Sequence, residues 1–307
     1  MSFANDFRVM SGSKVDLSRI DADFHGRYED EDAIQAELEG YCQRLAELQS
    51  VMYAENKHSL LVVLQAMDGG GKDGTIRHVM GAWNPQGCSV VGFKVPTPEE
   101  LAHDYLWRIH KMTPGKGRIT VFNRSHYEDV LVVRVHSLVP KDVWSKRYDE
   151  INAFERHLAN SGTTLVKFFL HIDKEEQLKR FKDRLEEADK QWKISESDYS
   201  EREYWDDYQQ AYMDALSKCS FNYAPWYIIP ANHKWFRNLA VSQILVETMD
   251  SLKMKYPEPS VDLSAIKQLY HAEVAEATGL PKVGAVAEEK PRPKKDKKKG
   301  KKKKKKK

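Results

Sequence analysis

The chain has 307 residues and a net charge of +3, but this charge is distributed unevenly. Residues 290–307 contain 14 of the 49 Lys and Arg residues and a single acid, Asp296, so this segment carries +13 and the first 289 residues carry −10. A hydrophobic content of 41% is sufficient for a large core, while no apolar run approaches the ~20 residues of a membrane-spanning helix. The composition predicts an acidic globular body with a polycationic tail and argues against a membrane protein.

The cysteines and the N-terminal residues predict a cytoplasmic protein. Cys42, Cys88 and Cys219 lie far apart without a CxxC pair, which argues against a disulfide framework and against a zinc site. The first residues, MSFANDFRVMSGSK, lack a basic stretch followed by an apolar segment, so we expect no secretory signal.

The elements predicted in chain order are those of an α/β domain. Residues 1–30 are polar with few periodic apolar positions, which indicates an N-terminal arm. Apolar side chains at spacings of three and four predict an amphipathic helix over 32–52, packed on its own core or on another subunit. Unbroken apolar runs separated by helical stretches are typical of parallel strands buried on both faces. We therefore predict a three-layer domain with about five parallel strands, at 59–66, 88–95, 118–123, 163–172 and 226–231.

The connection between the fourth and fifth predicted strands is unusually long. Residues 184–216 are polar, aromatic and helical on both sides of a break at 194–197, which suggests either a lid over an active site or a surface helical hairpin. After residue 258 the pattern predicts one short helix at 264–275, within a segment 259–278. Residues 279–307 have little to bury and a self-repelling lysine run, so we expect a disordered tail.

A glycine-rich loop follows the first predicted strand. Residues 66–75 read AMDGGGKDGT and lead into a helical stretch, which is the setting of a phosphate-binding loop. In such a loop backbone N–H groups surround the phosphates and a lysine, here Lys72, reaches the terminal phosphates. The alternative is a tight turn without a ligand. The residues of this segment that we expect to bind phosphate or nucleotide are Gly69, Gly70, Gly71, Asp73, Gly74, Thr75 and Arg77.

Two positions of the loop depart from the usual pattern, and both bear on metal binding. Ala66 stands where the first glycine is expected, and Asp73 replaces the Ser or Thr that usually holds Mg²⁺. Carboxylates must then supply the oxygen ligands of the metal, and Asp68 is the nearest candidate.

A second polar cluster follows the third predicted strand, in the sequence NRSHYED at 123–129. Asn123 replaces the acid expected at the strand tip and is expected to bind phosphate or nucleotide. Arg124 lies at the carboxyl edge of the sheet, where ligands bind in open α/β sheets. Glu128 lies one turn into the next helix, from which it can turn back toward the phosphates. Alternatively, Glu128 only complements the helix dipole and pairs with Arg124.

Taken together, the motifs resemble those of the polyphosphate kinase 2 family. The resemblance covers residues 34–254 and rests on AMDGGGKDGT, FKVPTPEELAHDYLWR, FNRSHYEDVLVVRVH, KQWKIS, EREYWDDYQQAY and APWYIIPANHKWFRNLAV. It implies a P-loop kinase domain, over 31–258, and reversible Mg²⁺-dependent phosphoryl transfer between inorganic polyphosphate and an adenine or guanine nucleotide. The form N-R-S-H-Y-E points toward a branch that phosphorylates AMP as well as, or instead of, ADP.

The resemblance also implies roles for individual residues. Asp68, Lys72, Arg124 and Glu128 would form the catalytic group, with Asp68 and Glu128 as the Mg²⁺ ligands. The lid would close over the substrates with Arg184, Trp192, Lys193 and Arg202. A basic track for the polymer is expected near strand ends, from Arg77, His78, Lys94, Arg108, Lys111, Arg118 and Arg134, each of which alone is more often a solvated charge. Asn232, Lys234 and Arg237 after the fifth strand either approach the ligand or merely cap a helix beside a packed Trp235.

Two other interpretations remain open from the sequence. One is a nucleoside monophosphate kinase with ATP as its donor. The other is a polyanion-binding or nucleic-acid-binding protein led by the tail, although a tail without aromatic residues predicts no specific nucleic acid. We expect a homo-oligomer, a dimer or a tetramer. The tail is either a handle for polyphosphate or a solubility or degradation-tolerant appendage.

Overall fold

The computed structural model describes residues 2–278 and contains a five-stranded parallel sheet flanked by helices. The strand order is β2-β3-β1-β4-β5, which places β1 in the centre. The strands are β1 Ser59–Ala66, β2 Cys88–Gly92, β3 Ile119–Asn123, β4 Thr163–His171 and β5 Trp226–Pro230. The predicted fold class is confirmed, because all four strand pairs are parallel.

Helices connect the strands. The α-helices are α1 Phe3–Asp6, α2 Gln35–Glu55, α3 Lys72–His78, α4 Pro98–Leu101, α5 Trp107–His110, α6 Val132–Val135, α7 Lys141–Trp144, α8 Arg147–Asn160, α9 Lys174–Glu186, α10 Glu196–Glu201, α11 Trp205–Lys218, α12 Lys234–Ser251 and α13 Leu263–Thr278. Short 3₁₀ helices lie at Leu17–Arg19, Asp32–Ile34, Met80–Ala82, His126–Val130, Gln191–Lys193 and Arg202–Tyr204. α2 and α3 pack on α12, whereas α6 and α8 pack on His126–Val130.

The strands differ in burial, and one expectation about them was wrong. β1 and β4 are central and almost wholly buried, as their apolar runs predict. β2 is an edge strand whose residues are exposed or half-buried, and it ends at Gly92 rather than at residue 95. An apolar run at a sheet edge has a neighbour on one side only, so burial on both faces does not follow.

The first compact unit comprises Met1–Pro257 and includes the N-terminal arm. Val9 N–H donates to Trp226 O, and Ile228 N–H donates to Phe7 O, both at 2.9 Å, so the arm pairs with the outer edge of β5. Phe3 is 2% exposed. The arm thus covers a sheet edge that would otherwise present unpaired backbone groups.

The second unit begins at Glu258 and contains α13, whose side chains are largely exposed. The predicted disordered tail at 279–307 lies outside the described residues. No helix among residues 2–278 is sufficiently long and apolar to cross a bilayer.

Candidate active site

The glycine-rich loop joins the end of β1 to the start of α3. Its conformation and its close neighbours require glycine at several positions. Gly69 and Gly71 have φ of +79° and +100°, a left-handed conformation that favours glycine. A Cβ on Gly70 would lie 2.5 Å from Ala66 Cβ, and a Cβ on Gly71 would lie 1.9 Å from Arg237 Nη1. The run of glycines is therefore required by close packing as well as by backbone conformation.

Lys72, the first residue of α3, lies at the centre of the site. Its Nζ donates to Ala66 O at 3.1 Å. Burial, followed by repulsion from Arg124, lowers the pKa of Lys72 to about 8, although the carboxylates of Asp68 and Glu128 oppose this shift. A partly desolvated ammonium without a close carboxylate gains most from a bound anion.

Arg124 brings the two predicted motifs together. Its Nη2 donates to Asp68 Oδ1 at 2.8 Å, and its Nη1 lies 3.7 Å from Glu128 Oε2. Burial opposes the charge of Arg124, but the two carboxylates outweigh burial and raise its pKa. Burial raises the pKa of Glu128, against the effect of Arg124 and Lys72. Two carboxylates thus flank one guanidinium beside the loop lysine.

The donor set of the site suits a hard cation. Mg²⁺ usually keeps several waters and takes one or two protein carboxylates together with substrate phosphates. Asp68 and Glu128 fit this requirement, whereas no group of three or more His, Cys, Asp or Glu residues suited to a metal occurs in residues 2–278. Asp73, at the usual Ser or Thr position, accepts a hydrogen bond from Asn123 Nδ2 at 2.8 Å.

The loop opens into a cavity of about 1060 Å³. Arg180 on α9 ties three segments together, because Nη1 donates to Gly69 O and Nη2 donates to Asn232 O, each at 2.9 Å, while Nε donates to Glu176 at 2.8 Å. The charged residues that line the cavity are Lys72, Lys94, Arg124, Lys179, Arg180, Arg184, Lys190, Lys193, Lys234 and Arg237 against Glu31, Glu39, Asp68, Asp73, Glu176 and Asp183. This lining carries +4, in contrast to the −10 of the first 289 residues.

Arg237 on α12 is the most unusual of these cations. Its side chain is 2% exposed, and its Nη2 and Nε donate to Asn238 Oδ1 at 2.8 and 3.2 Å. No carboxylate of residues 2–278 lies within 4.0 Å of its guanidinium. Burial, and then repulsion from Arg180, lowers the pKa of Arg237 to about 9.

Comparison with known proteins identifies the family. The family model described as "Polyphosphate kinase 2 (PPK2)" matches residues 28–257, which is most of the chain. This chain belongs to the polyphosphate kinase 2 family. It is 53% identical over 256 residues to the AMP/ADP-polyphosphate phosphotransferase of Meiothermus ruber, covering 82% of this chain and 95% of that protein.

Other members of the family are similar in sequence and in structure. The ADP-polyphosphate phosphotransferase of Rhodopseudomonas palustris is 49% identical over 264 residues, covering 82% of this chain and 91% of that protein. The crystal structure of polyphosphate kinase 2 from Arthrobacter aurescens superposes with a TM-score of 0.84 at 43% identity, covering 88% of this chain and 96% of that one.

Most of the residues expected to act in this polyphosphate kinase 2 member line the cavity, but Thr75, Arg77, Glu128, Trp192 and Arg202 do not. Arg77 is exposed on α3. Trp192 is 78% exposed, with Nε1 donating to Asp189 O at 2.9 Å. Arg202 donates to Lys174 O and Gln177 Oε1 at 3.1 and 2.7 Å, which fixes α9 to the lid. Thr75 is buried beneath the loop and donates to Gly71 O.

Most of the cations predicted to form a basic track do not line the cavity, and most of the cations that do line it were not part of that track. Of its members, His78 and Lys94 line the cavity. Arg118 precedes β3 at the opposite, amino edge of the sheet and donates to Gln86 O. Arg134 pairs with Asp214, at 2.7 Å. Arg108 is buried and donates to Lys94 O, and Lys111 lies over the Trp107 ring.

Three further cations, Arg180, Lys179 and Lys190, line the cavity but were not predicted from the sequence. Gln177, Arg180 and Arg184 are spaced by three and four residues on α9, so that one face of this helix supplies polar groups to the loop and the cavity. This helical spacing is the signal that could have identified Arg180.

Proposed function

We propose that this chain transfers phosphoryl groups reversibly between inorganic polyphosphate and adenine nucleotides. The observation that carries the proposal is the excess of cations in a cavity continuous with the phosphate-binding loop. Such a cavity in an acidic body concentrates a polyanion. The names of the Meiothermus ruber and Rhodopseudomonas palustris relatives support polyphosphate as one substrate and AMP or ADP as the other.

The cations divide into two groups that suggest separate subsites. Arg124 is balanced by Asp68 and Glu128 on the β3 side of the loop. Arg237 has no such balance on the α12 side. We assign the α12 side, with Arg180, to the polymer, because a chain of phosphates brings its own negative charge. The β3 side, where the carboxylates lie, then orients the phosphate of the nucleotide.

The residues at the loop supply positioning and charge neutralisation, which dominate phosphoryl transfer. Lys72 would hold the transferred group while backbone N–H groups of the loop surround its oxygens. Arg124 would bind the nucleotide phosphate, held in place by Asp68 at 2.8 Å. A divalent cation, for which Asp68 and Glu128 are the ligands, would neutralise charge on the phosphates. We propose Mg²⁺ for this role because its ligand preference matches two carboxylates with phosphate oxygens.

The lid residues Arg184, Lys190 and Lys193 would close the cavity over the polymer. Arg184 Nη1 lies 3.5 Å from Asp198 Oδ2, which links α9 to α10. Lys193 lines the cavity although the adjacent Trp192 does not. We therefore assign phosphate binding in the lid to Lys193 and Arg184.

The experiment that tests the function is a nucleotide panel with the purified protein. AMP, ADP, GMP and GDP are each incubated with long-chain polyphosphate and Mg²⁺, in both directions, and products are separated by anion-exchange chromatography. We expect ADP and ATP from AMP or ADP. Product formed from ATP plus AMP without polyphosphate, and none with polyphosphate, would instead establish an ATP-dependent nucleotide kinase.

Two further parts of the proposal concern the state of the protein in the cell. We propose a cytoplasmic homo-oligomer, a dimer or a tetramer, in which the exposed side of α2, where Tyr53 is 47% exposed, is available to a second subunit. Light scattering after size-exclusion chromatography measures the mass, and a mass of 35.5 kDa would contradict the oligomer.

A further inference from the structure

A fully buried polar network includes part of the 3₁₀ turn that follows Arg124 and contains Glu128. It consists of His126, Tyr127, Glu155 and Lys167, each 0% exposed. Lys167 lies on the central strand β4, Glu155 on α8, and the other two in the 3₁₀ turn after β3. None of the four lines the cavity, so the proposed mechanism leaves them without a role.

The hydrogen bonds of the network are complete around Lys167. Its three ammonium hydrogens have three acceptors: Glu155 Oε2 at 2.5 Å, Cys219 O at 2.6 Å and Tyr127 Oη at 2.8 Å. Tyr127 Oη in turn donates to Glu155 Oε1 at 2.9 Å, and His126 Nε2 donates to the same oxygen at 3.2 Å. One ion pair on β4 and α8 therefore holds two consecutive side chains of the turn.

The backbone conformation of Arg124, two residues before His126, indicates what the hydrogen bonds of the network hold in place. Arg124 has φ of +64°, a left-handed conformation that is uncommon for residues other than glycine. Such a conformation persists only where its surroundings over-determine it. On one side Arg124 N–H donates to Leu64 O of β1, at 3.2 Å. On the other side Ser125 Oγ accepts from Gln65 Nε2 and from Tyr127 N–H, and the two residues of the network follow.

We propose that Lys167 and Glu155, through His126 and Tyr127, are positioning residues that hold Arg124 in its left-handed conformation. This sets where Arg124 and Glu128 meet the reacting phosphates. The four residues contact no substrate. Their effect is on the catalytic step, because a displacement of about 1 Å at a reacting group costs up to 100-fold in rate. The effect on rate rests on the proposed phosphoryl transfer, whereas the effect on the turn does not.

The test separates positioning from general stability. The double variant H126L/Y127F removes both links between the turn and the ion pair while leaving Lys167 paired with Glu155. The matched control is S59A/T163V, which removes the buried Ser59–Thr163 hydrogen bond of 3.1 Å at the amino ends of β1 and β4. Each protein is measured for kcat and KM with polyphosphate and nucleotide, for Tm, and for amide hydrogen exchange over 124–131.

We expect H126L/Y127F to lose at least tenfold in kcat with KM within twofold, and to exchange amides at 124–131 at least tenfold faster. The control should lower Tm with an unchanged kcat. A folded H126L/Y127F with the kcat and exchange of the wild type would overturn the proposal, as would an equal loss of kcat in the control. If the double variant does not fold, Y127F alone, which deletes one oxygen, is judged by the same criteria. An inactive wild type would refute the proposed function, while hydrogen exchange would still decide the positioning role.

Discussion

Arg237 offers the sharpest test of how the cavity is built, because its charge is buried without a carboxylate partner. Its guanidinium lies against Gly71 and donates to Asn238 Oδ1. Desolvation first, and then Arg180, lowers its pKa to about 9. In the substrate-free protein this cation is therefore a source of instability, whereas in the complex a phosphate would supply the missing counter-charge.

The magnitude follows from the pKa. A fall of more than three pH units corresponds to roughly 4–5 kcal/mol of free energy that opposes the charged form. Replacing buried ion pairs by well-packed apolar residues of similar volume is often neutral or stabilises a protein by about 1–4 kcal/mol, and an unpaired buried ion has no Coulombic partner to lose. Arg237→Met should therefore raise the Tm of the substrate-free protein, by about 2–4 °C for each kcal/mol. The same change removes a preorganised cation, which typically costs about 3–4 kcal/mol of transition-state stabilisation, or 100- to 1000-fold in kcat/KM.

The assay combines thermal unfolding with kinetics. Tm is measured with and without polyphosphate, and kcat/KM is measured with polyphosphate as the varied substrate. Polyphosphate should raise the Tm of the wild type more than that of R237M, because at a given ligand concentration tighter binding to the folded state stabilises it more. The control is Arg44→Met on α2, whose guanidinium pairs with Glu47 and with Asp250 of α12 at 2.9 and 2.7 Å on the exposed surface. Such a pair contributes about 0–1 kcal/mol, so R44M should change neither measurement appreciably.

Two results would refute this reasoning. The first is a Tm of R237M below that of the wild type in the absence of ligand, which would make Arg237 a stabilising structural residue. The second is an R237M variant with an unchanged kcat/KM and an unchanged Tm increase on addition of polyphosphate, which would place the polymer away from α12.

Four other predictions follow from the loop and the tail. Asp68→Asn keeps an acceptor for Arg124 but removes the charge, so kcat measured in steady state should fall about 100-fold; a loss below threefold contradicts this. Lys72 is charged below its pKa of about 8 and neutral above it, so the KM for polyphosphate should rise between pH 7 and pH 9.5, and K72R should reduce this rise; an equal rise in both proteins contradicts it. Gly70→Ala forces a Cβ to within 2.5 Å of Ala66 Cβ, so activity should be lost while circular dichroism is retained; an active variant would show that the loop relaxes freely. Deletion of residues 290–307, which carry +13, should weaken apparent affinity for long-chain polyphosphate at low salt and have no effect at high salt; equal affinities at low salt contradict it.

The parts of the site that could be predicted from the sequence are those that topology brings together. Asp68 and Arg124 are 56 residues apart, yet each follows a strand, and β1 and β3 are parallel neighbours. Their carboxyl ends therefore meet at one edge, and a loop after each strand suffices to place both residues. Arg118 precedes β3 and therefore lies at the amino edge of the sheet, so the topology excludes it from a site at the carboxyl edge.

Other features depend on packing between distant elements and have little local signal. The contact of Arg237 with Gly71 requires the position of α12 against α3, and the pairing of Arg134 with Asp214 joins α6 to α11. Val9 is buried because the arm pairs with β5, and Phe3 is buried because it packs on Phe236 of α12; neither follows from a helix or strand period. A polar composition therefore misrepresents the arm, which is held by five buried apolar residues, Phe3, Val9, Val15, Leu17 and Ala22.

The cations at the loop differ in how many carboxylates lie close to them. Arg124 has two carboxylates and a raised pKa, so it remains charged and fixed before any ligand arrives. The pKa of Lys72 is lowered because burial outweighs its neighbouring carboxylates, and the pKa of Arg237 is lowered because it is buried without one. A substrate that is itself a chain of negative charges relieves this second group and adds little to the first. The net charge of +3 therefore conceals two arrangements, a tail of +13 and a −10 body in which the buried cations Lys72 and Arg237 both line the cavity beside the loop.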